Sequence, residues 1–213
     1  MGIKFLYLGA MLSGLAAAQV PVDQEPRHHL EFANEWLRVI SPQIPAGDTT
    51  LEHLHIHDDA TVCIHGSEVR AKQPGSEWSN PGRVCVPGTA GVTEYTGKPR
   101  SHTVQNVGSG VYYLVLVENL RESGWTNTEP LNVAGLKMTR ESRSFRIYDT
   151  ELSGSSGVAH SHEVPTVVIL VSGEATVGDK RLDAPGRWAY IPAGDQHQVS
   201  AQANAHVVEI EVR

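Results

Sequence analysis

Gly47-Asp48-Thr49-Thr50-Leu51-Glu52-His53-Leu54-His55-Ile56-His57-Asp58-Asp59, then six residues and Gly66, is the stretch whose reading decides the fold. Its spacing returns as Gly154-Ser155-Ser156-Gly157-Val158-Ala159-His160-Ser161-His162-Glu163-Val164-Pro165-Thr166, then six residues and Gly173. The opening glycine, two histidines, a fourth polar position and the closing glycine sit at identical offsets. Each copy is followed by one more histidine in a turn-like setting, His102 and His197. On a strand, residues i and i+2 point to the same face, so His53 aims with His55 and His160 with His162. Three convergent neutral imidazoles suit a first-row transition metal. A repeat of about 100 residues predicts two related domains, each large enough for its own core and each with the makings of one site.

Outward from the repeat, the N-terminus differs in kind. Met1-Gly2-Ile3-Lys4 carries one positive charge, Phe5 to Leu15 is almost wholly apolar, and Ala16-Ala17-Ala18 is a small-residue cleavage pattern before Gln19. Residues 1–18 therefore read as a signal peptide. The apolar run is too short to span a bilayer comfortably, so the mature protein is expected to be secreted or periplasmic, with no membrane partner after cleavage. The formal net charge of −7 and the lack of a Lys/Arg run argue against nucleic acid.

The remaining composition favours β-structure. Twenty Gly and 12 Pro among short apolar runs point to a turn-rich all-β chain. Trp36–Ile40 and Ser144–Tyr148 read as matching strands that lead into the two motifs, and Gly178-Asp179 marks a hairpin. Residues 73–90, rich in Pro, Gly, Ser and Asn, read as a loop insertion that covers a sheet edge. The expected division is an N-terminal domain over 19–125, a linker over 126–138 and a C-terminal domain over 139–213. Cys63 and Cys85 form a disulfide in an oxidising compartment or stay as two buried thiols. Their spacing does not choose between the two.

The two stretches resemble the cupin superfamily, whose first motif is G-x5-H-x-H-x3,4-E-x6-G and whose second is G-x5-P-x-G-x2-H-x3-N. The second half carries Gly154, His160, His162, Gly173, then Gly186, Pro192, Gly194 and His197, with Thr166 for Glu and Ala201 for Asn. The first half carries Gly47, His53, His55 and Gly66, with Asp59 for Glu, then Gly91, Gly97, Pro99, His102 and Asn106, with Pro and Gly exchanged. The resemblance covers nearly all of the mature chain and is to secreted, quercetin-dioxygenase-like bicupins of the type-2 domain kind. It implies two tandem cupin-type jelly-roll β-barrels, each with a metal in its mouth.

The candidate ligands are then His53, His55, Asp59, His102, His160, His162 and His197, holding one or two divalent transition metals (Fe, Mn, Zn, Ni or Cu) per chain. Asp59 either binds metal or hydrogen-bonds a ligand histidine. Thr166 is a poor ligand, which predicts three histidines alone in the second domain, while the resemblance makes the first, with Asp59 at the acid position, the better candidate for quercetinase-type oxygenase chemistry. His57 reads as exposed at a turn, Glu163 as facing away, and His28 and His29 as surface residues. His65 and His206 show no partner pattern. Trp188 and Tyr190 alternate on one strand and either line a pocket or pack in the core or an interface.

The resemblance implies a metal-dependent enzyme of dioxygenase or isomerase/decarboxylase type on a small oxygenated organic substrate. The alternatives are a non-catalytic binding module for a small ligand or metal ion and, more weakly, a structural role in an assembly. Pairing through sheet edges makes a homodimer a further expectation, and two barrels of one chain can pair in the same way.

Overall fold

The computed structural model describes residues 19–121 and 128–213. The expected signal peptide and residues 126–127 of the expected linker lie outside them. Apart from one 3-10 turn, Val22–Gln24, the regular elements are strands. Among the described residues no helix is long and apolar enough to cross a membrane.

Each half is built from the same two layers. In the N-terminal half one antiparallel sheet runs His28–Ala33, Leu37–Ile44, Tyr112–Asn119, Asp59–His65, Ala90–Thr93. The C-terminal half repeats that order as Lys137–Glu141, Phe145–Ser153, Asn204–Val212, Thr166–Ser172, Trp188–Ile191. Opposite the first of these lies a sheet of Val20–Pro21, His53–His55, Arg100–Asn106, Glu68–Lys72 and Arg83–Val84. Its counterpart in the second half is split into His160–Ser161 with Gln196–His197, and Lys180–Leu182, Ala175–Val177 and Val199–Ser200. The fold is two tandem jelly rolls. Lys137–Glu141 begins inside the stretch read as linker, because it adds an edge strand to Phe145–Ser153.

The glycines of the repeat have backbone reasons. Gly47 and Gly154 open the motifs at φ 78° and 62°, a left-handed conformation that side chains disfavour. The closing pair is set by close approach: a Cβ on Gly66 would strike the carbonyl of Cys85, and one on Gly173 the carbonyl of Asn204. Part of the insertion over 73–90 forms the short strand Arg83–Val84 against Glu68–Lys72. A Cys63–Cys85 disulfide ties it to the strand Asp59–His65.

Besides the interior of each half, the two halves share an apolar layer. The largest apolar cluster takes Leu37, Val39, Val62, Val115 and Val117 from the first half and Phe145, Val167, Ile169, Val208 and Ile210 from the second. The sheet centred on Tyr112–Asn119 and the sheet centred on Asn204–Val212 pack face to face, and this layer is shared. Polar struts cross at its margin: Ser144 Oγ donates to Asp58, the Arg143 guanidinium lies 3.1 Å from Asp58 Oδ2, and Asn119 Nδ2 donates to the Arg213 carbonyl at 2.8 Å. Trp188 and Tyr190 pack against Phe32 across the same boundary, the interface alternative.

The two interiors differ. The C-terminal barrel is filled by Leu152, Val168, Leu170, Val177, Leu182 and Val199. The N-terminal barrel has a smaller cluster, Ile44, Val69 and Tyr112, beside a cavity of about 810 Å³. Truncating Ile169, fully buried in the shared layer, should cost about 3 kcal/mol and destabilise both halves together. Urea unfolding followed by circular dichroism and by tryptophan fluorescence should give one coincident transition, shifted as a unit by Ile169→Ala. Two separate transitions, only one of them moved, would show independent cores.

Candidate metal centres

Strand register brings the histidines together. His53 lies directly opposite His102 on the antiparallel neighbour, and His160 directly opposite His197. Residues directly opposite each other share a face, and the second histidine of each motif joins them two residues on. His53, His55 and His102 offer nitrogens within 4.8 Å of one another, as do His160, His162 and His197. These are two histidine-rich candidate metal sites.

In the N-terminal half, His53 and His55 are buried and His102 is half-buried. His53 Nδ1 donates to the Leu51 carbonyl at 2.9 Å, which leaves its Nε2 lone pair free. His55 Nδ1 lies 3.2 Å from Asp59 Oδ2, and neither of its buried ring nitrogens meets a partner in hydrogen-bonding geometry among the described residues. An orphaned imidazole nitrogen beside two more fits a cation. Asp59 falls outside the mutually close set and sits behind His55, beside its Nδ1. Burial, followed by neighbouring histidines, pushes His102 down to about 3, and burial pushes His53 down to about 4. Both are therefore neutral near pH 7, the form that binds metal.

Several neighbours were not legible as site residues. His28 is buried, not on the surface: its ring stands edge-on to His53 at 4.6 Å and its Nδ1 donates to the Val22 carbonyl. Tyr95 stacks on His55 at 4.7 Å. Leu116, Arg83, Tyr112 and Arg140 line the cavity above the histidines. His57 stays outside the convergent set, and Glu163 is exposed, facing away. His206 pairs with Asp149 at 3.1 Å and His65 Nδ1 with the Val111 carbonyl.

In the C-terminal half a fourth donor joins the three histidines. Glu209, from the last strand, places Oε2 at 3.2, 3.0 and 3.3 Å from the Nε2 atoms of His160, His162 and His197. His160 Nδ1 donates to the Val158 carbonyl at 2.9 Å, repeating the His53–Leu51 contact. His162 Nδ1 faces Glu211 Oε1 at 2.8 Å, and Glu211 Oε2 is 3.1 Å from buried Arg146. Burial works against charge on His160 and His162, but Glu209 beside them more than offsets it and holds both above the usual imidazole range. The alternation in Val208-Glu209-Ile210-Glu211-Val212 is the signal in the sequence that sets both glutamates on one face.

No protein-family profile and no curated protein matches the chain. Solved structures do. YhhW from Escherichia coli superposes with a TM-score of 0.60 at 14% identity, over 87% of this chain and 89% of that one. A cupin 2 conserved barrel domain protein from Leptotrichia buccalis gives 0.53 at 12%, over 85% and 86%. The chain has the cupin fold. A salicylate 1,2-dioxygenase from Pseudaminobacter salicylatoxidans shares it at 0.60 and 12%, over 84% and 71%. The bacterial pirin YhhW has also been solved in complex with nickel(II), at 0.59 and 16%, over 87% and 90%. Against the cupin motifs, Asp59 and Thr166 occupy the family's acid position without taking its place in either cluster.

Glu118 gives these geometries a measurable consequence. Burial pushes its carboxyl up to about 7, with Arg38 at 3.0 Å offsetting only part of the cost. The native state then holds a proton that the unfolded chain has released, so stability falls as pH rises from about 4.5 to about 7. Comparing metal-stripped wild type with Glu118→Gln, the melting temperature difference should shift in the variant's favour between about pH 5 and pH 7.5. Parallel pH profiles would refute the assignment.

Proposed function

We infer that this chain is an exported cupin enzyme whose N-terminal half holds a divalent transition metal on His53, His55 and His102. It acts there on a small oxygenated organic substrate. The observation that carries this reading is the meeting, in one half, of three convergent imidazoles with a substrate-sized cavity of about 810 Å³. A metal on three imidazoles keeps positions for exogenous ligands and supplies Lewis-acid or oxygen chemistry, the dioxygenase or isomerase/decarboxylase class.

The chain's own groups divide the remaining work. The Leu51 carbonyl and Asp59 fix the rings of His53 and His55 and so set which nitrogen faces the cavity. Leu116 and Leu114 give the cavity apolar walls, which exclude water from a bound substrate. Arg83 and Arg140 line the same cavity and make no carboxylate ion pair among the described residues. Two cations without acid partners favour an anionic substrate, such as a carboxylate or an enolate.

Export is part of the proposal, with the mature chain starting at Gln19. It is supported by the Cys63–Cys85 disulfide, a bond that persists in oxidising compartments. The salicylate dioxygenase and the nickel-bound pirin show that the fold hosts such metals and chemistry, and they support the class of reaction by analogy alone.

Elemental analysis of the mature protein, paired with oxygen uptake on a panel of enols, flavonols, hydroxy acids and keto acids, tests this reading. His102→Ala should lose the N-terminal metal and turnover together. Arg83→Ala should raise KM for an acid substrate roughly tenfold, about 1.4 kcal/mol, with kcat less affected. Metal bound without turnover on any of the panel would place the chain among non-catalytic binding modules instead. Full metal content in a chain lacking both His53 and His102 would end the site assignment.

A further inference from the structure

The C-terminal half carries a second set of donors with a different character. We propose that His160, His162, His197 and Glu209 form a closed, four-ligand structural metal site, in which Glu209 supplies the acid that Thr166 does not.

His160 Nδ1 faces the Val158 carbonyl and His162 Nδ1 faces Glu211, so both Nδ1 atoms serve as donors. In the neutral rings that bind metal, this leaves each Nε2 as a lone pair pointed at the acceptor oxygen of Glu209. Two imidazole lone pairs aimed at one carboxylate oxygen repel each other and the oxygen. A cation between them turns every one of these contacts favourable. Glu209 Oε1 and His197 Nδ1 are also buried without a hydrogen-bond partner among the described residues.

The spacing agrees. The three Nε2–Oε2 separations are 3.0–3.3 Å. Bonds of about 2.0 Å at tetrahedral angles place neighbouring ligand atoms about 3.3 Å apart. The site is also shut: the four side chains are 7%, 0%, 3% and 1% exposed for His160, His162, His197 and Glu209. Structural sites are closed and four-coordinate, whereas catalytic ones keep an open position.

Register explains the move of the acid. Thr166 lies opposite Glu211 and Val168 opposite Glu209. In the N-terminal half Asp59 lies opposite Glu118 and Thr61 opposite Leu116. The position that holds Glu209 in one barrel therefore holds Leu116 in the other. One barrel has a fourth ligand where its counterpart has a cavity wall. A metal at this point links the outer strands His160–Ser161 and Gln196–His197 to Asn204–Val212, the central strand of the inner sheet.

The test uses the full mature chain carrying His102→Ala, which empties the N-terminal set and leaves this one alone. Elemental analysis after gel filtration should find one metal per chain. The stripped chain titrated with Co(II) should develop the intense visible bands of a tetrahedral ion, and chelation should lower the melting temperature. Adding Glu209→Gln should weaken Zn(II) binding tenfold or more and abolish the stabilisation by metal, while Glu163→Gln, on the opposite face, should leave both unchanged. Should Glu209→Gln not fold, Glu209→Asp serves, with weakened binding and altered Co(II) bands expected. Unchanged Zn(II) affinity in the Glu209 variants would overturn the ligand assignment. Binding with no effect on melting, or a weak six-coordinate Co(II) spectrum, would overturn the closed structural site. The reading of the N-terminal centre stands or falls separately, on the His53 and His102 variants.

Discussion

Everything in this molecule depends on one layer of apolar side chains shared between two sheets. Val167, Ile169 and Val171 of one strand, with Val208, Ile210 and Val212 of its neighbour, pack against Leu37, Val39, Val115 and Val117 of the other half. Dehydrating that surface is the dominant favourable term in holding the halves together. It also fixes register, because a slip of one residue would turn a row of valines and isoleucines out of the interface. The polar struts at Asp58 and Asn119 sit at the rim, where their bonds add orientation to an association that burial drives.

The same alternation builds the sites. Once Val208, Ile210 and Val212 must face the partner sheet, Glu209 and Glu211 have to face inward, into their own barrel. In the first half Val115 and Val117 face the partner, and Leu114, Leu116 and Glu118 face inward. Each inward row meets the histidines carried by the opposite sheet. Glu118 beside Arg38 and Glu211 beside Arg146 are counterpart pairs, each with its carboxylate buried. Glu211 contacts its histidine directly, whereas in the first barrel Asp59 takes that task at His55.

The sequence made the repeat legible because its constraints are local. A left-handed glycine, a glycine under a carbonyl, and two histidines two apart on a strand can each be read within one short window. The third histidine was legible through the turn before it. Glu209 was not, since nothing in His206 to Val212 distinguishes a polar face turned to water from one turned to three imidazoles. His28 failed for a similar reason: its polar surroundings in sequence hide a ring packed edge-on to His53. The shared layer was missed as well, because strands buried on both faces, such as Thr166–Ser172, leave no trace of which apolar face serves which core.

A tandem repeat with one shared core cannot discard either half, and this bears on how the two barrels differ. Neither barrel is free to lose its packing, so divergence is confined to the inward-facing rows and the loops. Leucine at 116, with few large side chains behind it, leaves the first barrel hollow above its histidines. Glutamate at 209, over a filled interior, closes the second around its own. An open centre bordered by unpaired arginines is suited to exchanging ligands with solvent, and a closed one to holding its own strands in place. The two jelly rolls share a backbone plan and a set of histidines, and one inward-facing side chain on the central strand separates their chemistry.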